Sequence, residues 1–326
     1  MAEASLFKDS CTIDYTPDAA VSGGEVVQLR DGRAGVMPVD LASGALGAAE
    51  TEGIWKLEKT ADIVMLTGGR VYWDHSANKA HFKKVNDRDF YVGRVAIDAA
   101  GSASYVYVDL NIDPPYDIDL CKGGAGGALS VATGTQALGG FLPPQYIGGS
   151  WALSLTATNE AQCVDLLSVD RVALASNPIA EFILRIAANG STNAVDITAG
   201  LANGTSTTDA DAITESVFFH IDGGSTAILA ESDDGTTEVG ATDTTKTFTA
   251  GSAVANRFEL WIDGRDPSNM KYYVEGIEVL SATANLGNIA LATGPLGLLV
   301  HVEKSSSTAT AGPVYVDAAR LRIGQQ

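Results

Sequence analysis

Short apolar runs recur about every ten residues along this chain, each closed by a reversal led by glycine, aspartate or asparagine. Residues 51–59 (TEGIWKLEK), 90–97 (FYVGRVAI) and 104–110 (SYVYVDL) alternate or nearly so, and turn signals such as Asp31-Gly32 and Ser43-Gly44 stand between such runs. Side chains two apart share a strand face, so runs this short can bury one face only in a sheet. Residues 257–263 (RFELWID) place Phe258, Leu260 and Ile262 on one face, and Glu275-Gly276 sits between two apolar arms as a hairpin turn. The ambiguous run 181–186 reads as a strand, because Asn189-Gly190 follows too soon for a helix. The chain is therefore all-β.

Its 326 residues suit about two domains, and a hydrophobic fraction of 45% is enough for packed cores. Residues 1–22 hold few periodic apolar positions and read as an extended arm. Residues 23–112 read as a small β-barrel-like domain, and the Pro/Gly-punctuated residues 113–150 as a linker. Residues 151–326 read as a larger antiparallel β-sandwich of jelly-roll type. No apolar run approaches the roughly 18 residues of a membrane-spanning helix, and the start has no signal-peptide pattern. No membrane partner is expected.

The net charge is −19, unevenly spread. Up to Leu110 there are 11 basic and 16 acidic residues; beyond it there are 10 and 24. An acidic surface of this kind stays soluble and repels nucleic acid, which is not expected as a partner. Cys11, Cys121 and Cys163 are odd in number and widely spaced, so they form neither a disulfide framework nor a paired metal motif.

Motifs that carry chemistry are few in this sequence. No Gly-x-Ser-x-Gly elbow and no phosphate-binding Gly-rich loop occurs. His75 and His81 are spaced too loosely for a helical metal pair, and His220 and His301 read as hydrogen-bonded histidines within sandwich strands. No catalytic residue, cofactor or metal is expected, and the chain is not read as an enzyme. Glu259, Trp261 and Asp263 share one strand face and form a candidate glycan-binding surface, with the indole as a stacking platform. The carboxylate pattern Glu-x-Asp-x-Glu of sandwich glycosidases is absent.

Several blocks between residues 23 and 110 carry a family likeness: Gly23 to Val27, Arg33 to Val36, Val39 to Gly44, Ala49 to Leu57, Gly69 to Asp74, Val92 to Ala96 and Val106 to Leu110. In order and spacing this segment resembles the family of small phage proteins termed DUF2190, itself similar to the lambda-type head decoration protein. Residues 257–263, 272–279 and 314–323 resemble the concanavalin/laminin-G-type sandwich. The first resemblance implies a capsid decoration protein, made in the host cytoplasm and located on the outer surface of the virion. It implies a homotrimer at three-fold sites of the expanded head, bound to the major capsid protein of a tailed phage. It also implies an N-terminal arm that adds β-structure to the capsid, with Ala2, Glu3, Ala4, Ser5, Leu6, Phe7 and Lys8 as the contact residues. The sandwich would be displayed outward; surface glycans are the alternative partner.

Overall fold

The structure, a computed structural model, describes residues 12–86, 88–114, 116–121, 128–133, 138–142, 150–192 and 194–323. Candidate contact residues Ala2 to Lys8 lie outside this set. The chain divides into two compact units, Met1–Pro115 and Tyr116–Gln326. Among the described residues there is no α-helix, and all the ladders between strands are antiparallel.

The first unit holds two sheets. Strands β1 (Thr12–Tyr15), β2 (Val26–Gln28), β3 (Ala34–Val36) and β4 (Gly47–Glu50) form one, in the order β1-β4-β3-β2. Val27, Leu29, Met37 and Ala49 are its buried core, with Ile13, Tyr15, Val21 and Leu41 packed against them. Residues 12–22 were expected within the arm, yet β1 pairs with β4 along its whole length and Val21 bridges Leu41. Backbone hydrogen bonds hold this pair, which is why side-chain periodicity does not announce it. At the Asp31-Gly32 turn, Gly32 adopts φ +89°, which suits a residue without Cβ.

The second sheet of this unit contains β5 (Ile54–Glu58), β6 (Arg70–Asp74), β7 (Lys79–His81), β8 (Phe90–Ile97) and β9 (Tyr105–Leu110), in the order β5-β9-β8-β6-β7. Strict alternation in β9 buries Val106, Val108 and Leu110 and exposes Tyr105 and Tyr107. The sheet does not close into a barrel. Its edge strands meet through a single parallel bridge between Lys59 and Ala80, because β7 has only three residues and cannot extend a ladder towards β5. Lys59 is buried there and gives its ammonium hydrogens to the carbonyls of Thr60, Ile63 and Gly101. Asn111, at φ +56°, ties the two sheets together. Its side-chain amide donates to Ala34 O (3.0 Å) and Thr51 O (2.7 Å) and accepts from Ala34 N–H (2.9 Å).

The second unit is an antiparallel sandwich. Its strands are β10 (Ile118–Asp119), β11 (Ala128–Thr133), β12 (Leu138–Leu142), β13 (Ser150–Ser154), β14 (Glu160–Ser168), β15 (Pro178–Ile186), β16 (Val195–Ala202) and β17 (Glu215–Asp222). They continue with β18 (Ala227–Asp234), β19 (Glu238–Thr247), β20 (Phe258–Asp263), β21 (Lys271–Val274), β22 (Ile277–Val279), β23 (Gly297–Ser307) and β24 (Val314–Ile323). One sheet runs β12-β13-β24-β15-β20-β21-β22, with β10 also paired to β24; the other runs β11-β14-β23-β16-β17-β18-β19. Residues 113–150, expected as a linker, thus supply β10 to β12. Glycine weakens a strand by entropy but leaves its backbone donors and acceptors intact, so Gly139 and Gly140 still pair with Leu153 and Ala152.

The inward faces of the two sheets form one core. Phe258, Leu260 and Ile262 of β20 meet it as their spacing requires, and so do Val217, Phe219 and Ile221 of β17. Burying each such side chain is worth about 1.5–3 kcal/mol before conformational entropy is set against it. The Phe219 ring meets Tyr272 edge-on at 5.3 Å, and the buried Tyr272 hydroxyl donates to Glu231 O at 2.5 Å. The hairpin between β21 and β22 turns on Glu275 (φ +54°) and Gly276 (φ +74°), as the sequence predicts.

Candidate functional site

Two sheet faces stand out, one in each unit. In the first, the outer face of the five-stranded sheet carries apolar side chains where alternation would normally put polar ones. Ile54, Ile97, Tyr105 and Tyr107 are 62%, 57%, 48% and 42% exposed. Tyr107 lies opposite both Lys56 and Ile97, and Tyr105 lies opposite Glu58. The Lys56 ammonium sits 4.1 Å over the Tyr105 ring, and Tyr72 meets Tyr91 edge-on at 5.6 Å. Arg94 pairs with Asp109 at 3.1 Å on the same surface. Aromatic and aliphatic side chains bordered by a few charges are the composition of a protein interface.

The second face belongs to the seven-stranded sheet, on the side away from the core. His301 (β23), Thr198 (β16) and His220 (β17) stand opposite one another in one row; Glu303, Asp196 and Asp222 form the next. Asp165 of β14 stands opposite His301. His301 Nδ1 bonds to Asp165, and its Nε2 to Glu303 at 2.6 Å. His220 Nδ1 lies 3.3 Å from Glu231, and its Nε2 lies 3.1 Å from Asp222 and 3.5 Å from Asp196. The loop 203–214 folds over part of this face: Ala210 and Ile213 pack on Phe218 and Leu299, and Thr205 donates to Asp165.

This face is buried and acidic. Burial works against charge on His301, but hydrogen bonds to Asp165 and Glu303 outweigh it and push its pKa up to about 9. His220 is likewise pushed up to about 11, its hydrogen bonds to Asp196 and Glu231 overcoming burial. Burial raises Glu303, and burial with the neighbouring Glu231 charge raises Asp211 to about 6. Two triplets, Asp196/His220/Asp222 and Asp211/His220/Glu231, each bring one ligand atom per residue within 4.8 Å of the others. Thr198 Oγ is buried with no hydrogen-bond partner.

Glu259, Trp261 and Asp263, the residues expected to form a glycan-binding face, lie on the side of β20 away from the core, and all three are buried. Trp261 is 5% exposed, donates its indole N–H to Glu259 at 2.8 Å and lies 6.0 Å from the Tyr273 ring. Asp263 holds the Arg265 guanidinium at 2.8 Å. His220 and His301 are hydrogen-bonded within sandwich strands, as expected, but the polar face they share on the other sheet is not apparent from the sequence. Its signal was present as three same-face pairs, Asp196/Thr198, His220/Asp222 and His301/Glu303, each two apart within an apolar strand.

Among solved structures, the carbohydrate recognition domain of Emp47p is 12% identical, with 64% of this chain and 94% of that one covered and a TM-score of 0.41. A β-1,3-glucanase from Mycobacterium marinum is 9% identical over 64% of this chain and 99% of that one, with a TM-score of 0.40. A protein of unknown function from Shewanella oneidensis MR-1 is 10% identical over 62% and 82%, with a TM-score of 0.41. No curated protein matches the chain. Residues 7–110, in the first unit, match the model of the phage cement protein family.

Proposed function

We propose that this protein is a capsid decoration protein whose first unit cements the expanded head of a tailed phage and whose acidic sandwich is displayed from the virion surface. The family match over residues 7–110 carries this reading. The exposed Ile54, Ile97, Tyr105 and Tyr107 supply the docking face against the major capsid protein, because tyrosine offers large contact area at low entropy cost. Three copies around a three-fold site would clamp several capsid subunits, so that modest single contacts add up to a stable shell. Residues Ala2 to Lys8, outside the described residues, are the proposed further contact segment. The excess of acid beyond Leu110 keeps decorated particles apart in dense suspension.

The test is co-sedimentation of the full chain with expanded and unexpanded heads. Saturable binding to expanded heads alone, lost in the Tyr105→Asp/Tyr107→Asp double variant with unchanged circular dichroism, is the expected result. No binding to either head form by the folded protein would refute the decoration role. Binding that survives the double variant would move the docking face elsewhere.

A further inference from the structure

The polar face of the seven-stranded sheet contains a four-cornered arrangement in which His220 pairs with Asp196 and Asp222 and a buried threonine stands beside it. Asp196 and Thr198 lie on one face of β16, and their register partners on β17 are Asp222 and His220. Three corners offer ligand atoms already within 4.8 Å of one another. The fourth, Thr198, is 0% exposed and has an unpartnered hydroxyl. A buried hydroxyl left unpaired costs about 1–3 kcal/mol, a cost that a ligand reaching this corner would offset.

We infer that Asp196, His220 and Asp222 bind one divalent transition-metal ion of the zinc or manganese class, with Thr198 as the fourth donor, directly or through a metal-bound water. One imidazole with two carboxylates is a mixed nitrogen and oxygen set, which suits these ions better than calcium or magnesium. His220 is oriented for this role. Its Nδ1 faces Glu231 at 3.3 Å while Nε2 points between Asp196 and Asp222, the carboxylate–histidine–metal arrangement that fixes a ligating imidazole. Binding displaces the proton from Nε2 and releases it to solvent, and the ion then carries the positive charge facing the carboxylates. Asp196 and Asp222 are only partly buried, which gives the ion a way in, while Thr198 and His220 are buried.

The cavity beside the second triplet, lined by Asp211, Phe218 and Glu231, has a volume of about 10 Å³. The inference is independent of the capsid role, since it concerns the other unit.

The full chain, stripped with chelator and then titrated with Zn²⁺ or Mn²⁺ by calorimetry, tests it, with Mg²⁺ as the control. One equivalent of Zn²⁺ or Mn²⁺ is expected to bind, and Mn²⁺ should give an electron paramagnetic resonance spectrum with nitrogen coupling. Asp222→Asn, at a half-exposed position that tolerates change, should weaken binding at least tenfold; Thr198→Val should weaken it several-fold. His220→Gln should abolish the nitrogen coupling, with folding checked by circular dichroism. No saturable binding by the folded protein, or binding unchanged in Asp222→Asn, would overturn the site.

Discussion

The outer face of the first unit's five-stranded sheet and the polar face of the second unit's seven-stranded sheet invert each other. Both are the non-core side of an antiparallel sheet, where alternation usually places solvated polar residues. On the first, Ile54, Ile97, Tyr105 and Tyr107 face outwards and stay exposed. On the second, Asp165, His220, Glu231, His301 and Glu303 face outwards and are nevertheless buried. An exposed apolar face gains free energy only when a partner covers it. A buried ionic face is costly to tamper with even when nothing binds. The first is exposed apolar surface that covering would stabilise, the second a buried part of the sandwich.

The sharpest way to break this contrast is to remove one member of the ionic row. His301→Ala leaves Asp165 and Glu303 as buried, uncompensated carboxylates and should cost about 3–5 kcal/mol in urea unfolding. A loss below about 1 kcal/mol would mean that the row is solvated in practice. Next in size is the pH response, which should have opposite sign in the two units. His81 lies against Asp74, Asp89 and Lys83, and burial holds its pKa down to about 4. Unfolding restores its ordinary value near 6.5, so the first unit keeps its stability above pH 6.5 and loses up to about 3 kcal/mol as pH falls towards 4. For His301 the folded value is raised to about 9. Its contribution is complete below pH 6.5 and is lost as pH rises through about 9, again by up to about 3 kcal/mol. Replacing both Trp151 and Trp261, or both Trp55 and Trp73, by phenylalanine confines the tryptophan fluorescence to one unit and resolves the two; parallel pH profiles would contradict the assignment.

Asn111→Ala should cost the first unit about 2 kcal/mol, since three hydrogen bonds and a tolerated left-handed backbone are lost together. Asn111→Gly should cost less, because it keeps the backbone freedom. The smallest stability change, within about 0.5 kcal/mol, belongs to Tyr107→Ala on the exposed face. That same variant should nonetheless weaken head binding, and a change in stability without one in binding would reverse the roles of the two faces.

Much of this was readable beforehand, and the parts that were not have a common cause. Phe258, Leu260 and Ile262 fill the core because a two-residue period leaves a strand no alternative, and Glu275-Gly276 turns because both positions require positive φ. Strands β1 and β10 to β12 were hidden because they are short or rich in glycine and are held by backbone pairing with partners far away in sequence. The ionic face was hidden for a related reason. Each same-face pair is visible within its own strand, but the meeting of His301, Thr198 and His220 depends on the registers of β16, β17 and β23, which no local pattern states.

Strand β24 is central in its sheet, yet it follows all of its partners along the chain; Arg320 meets Asp119, 201 residues earlier. During synthesis, β13 and β15 must therefore wait side by side with unpaired edges until residues 314–323 leave the ribosome. A nascent chain stopped before that point would expose two sticky edges in place of one continuous sheet, and would be a substrate for aggregation or for chaperones. Only chains translated past β24 would hold a finished sandwich, so translation itself separates complete sandwiches from incomplete ones.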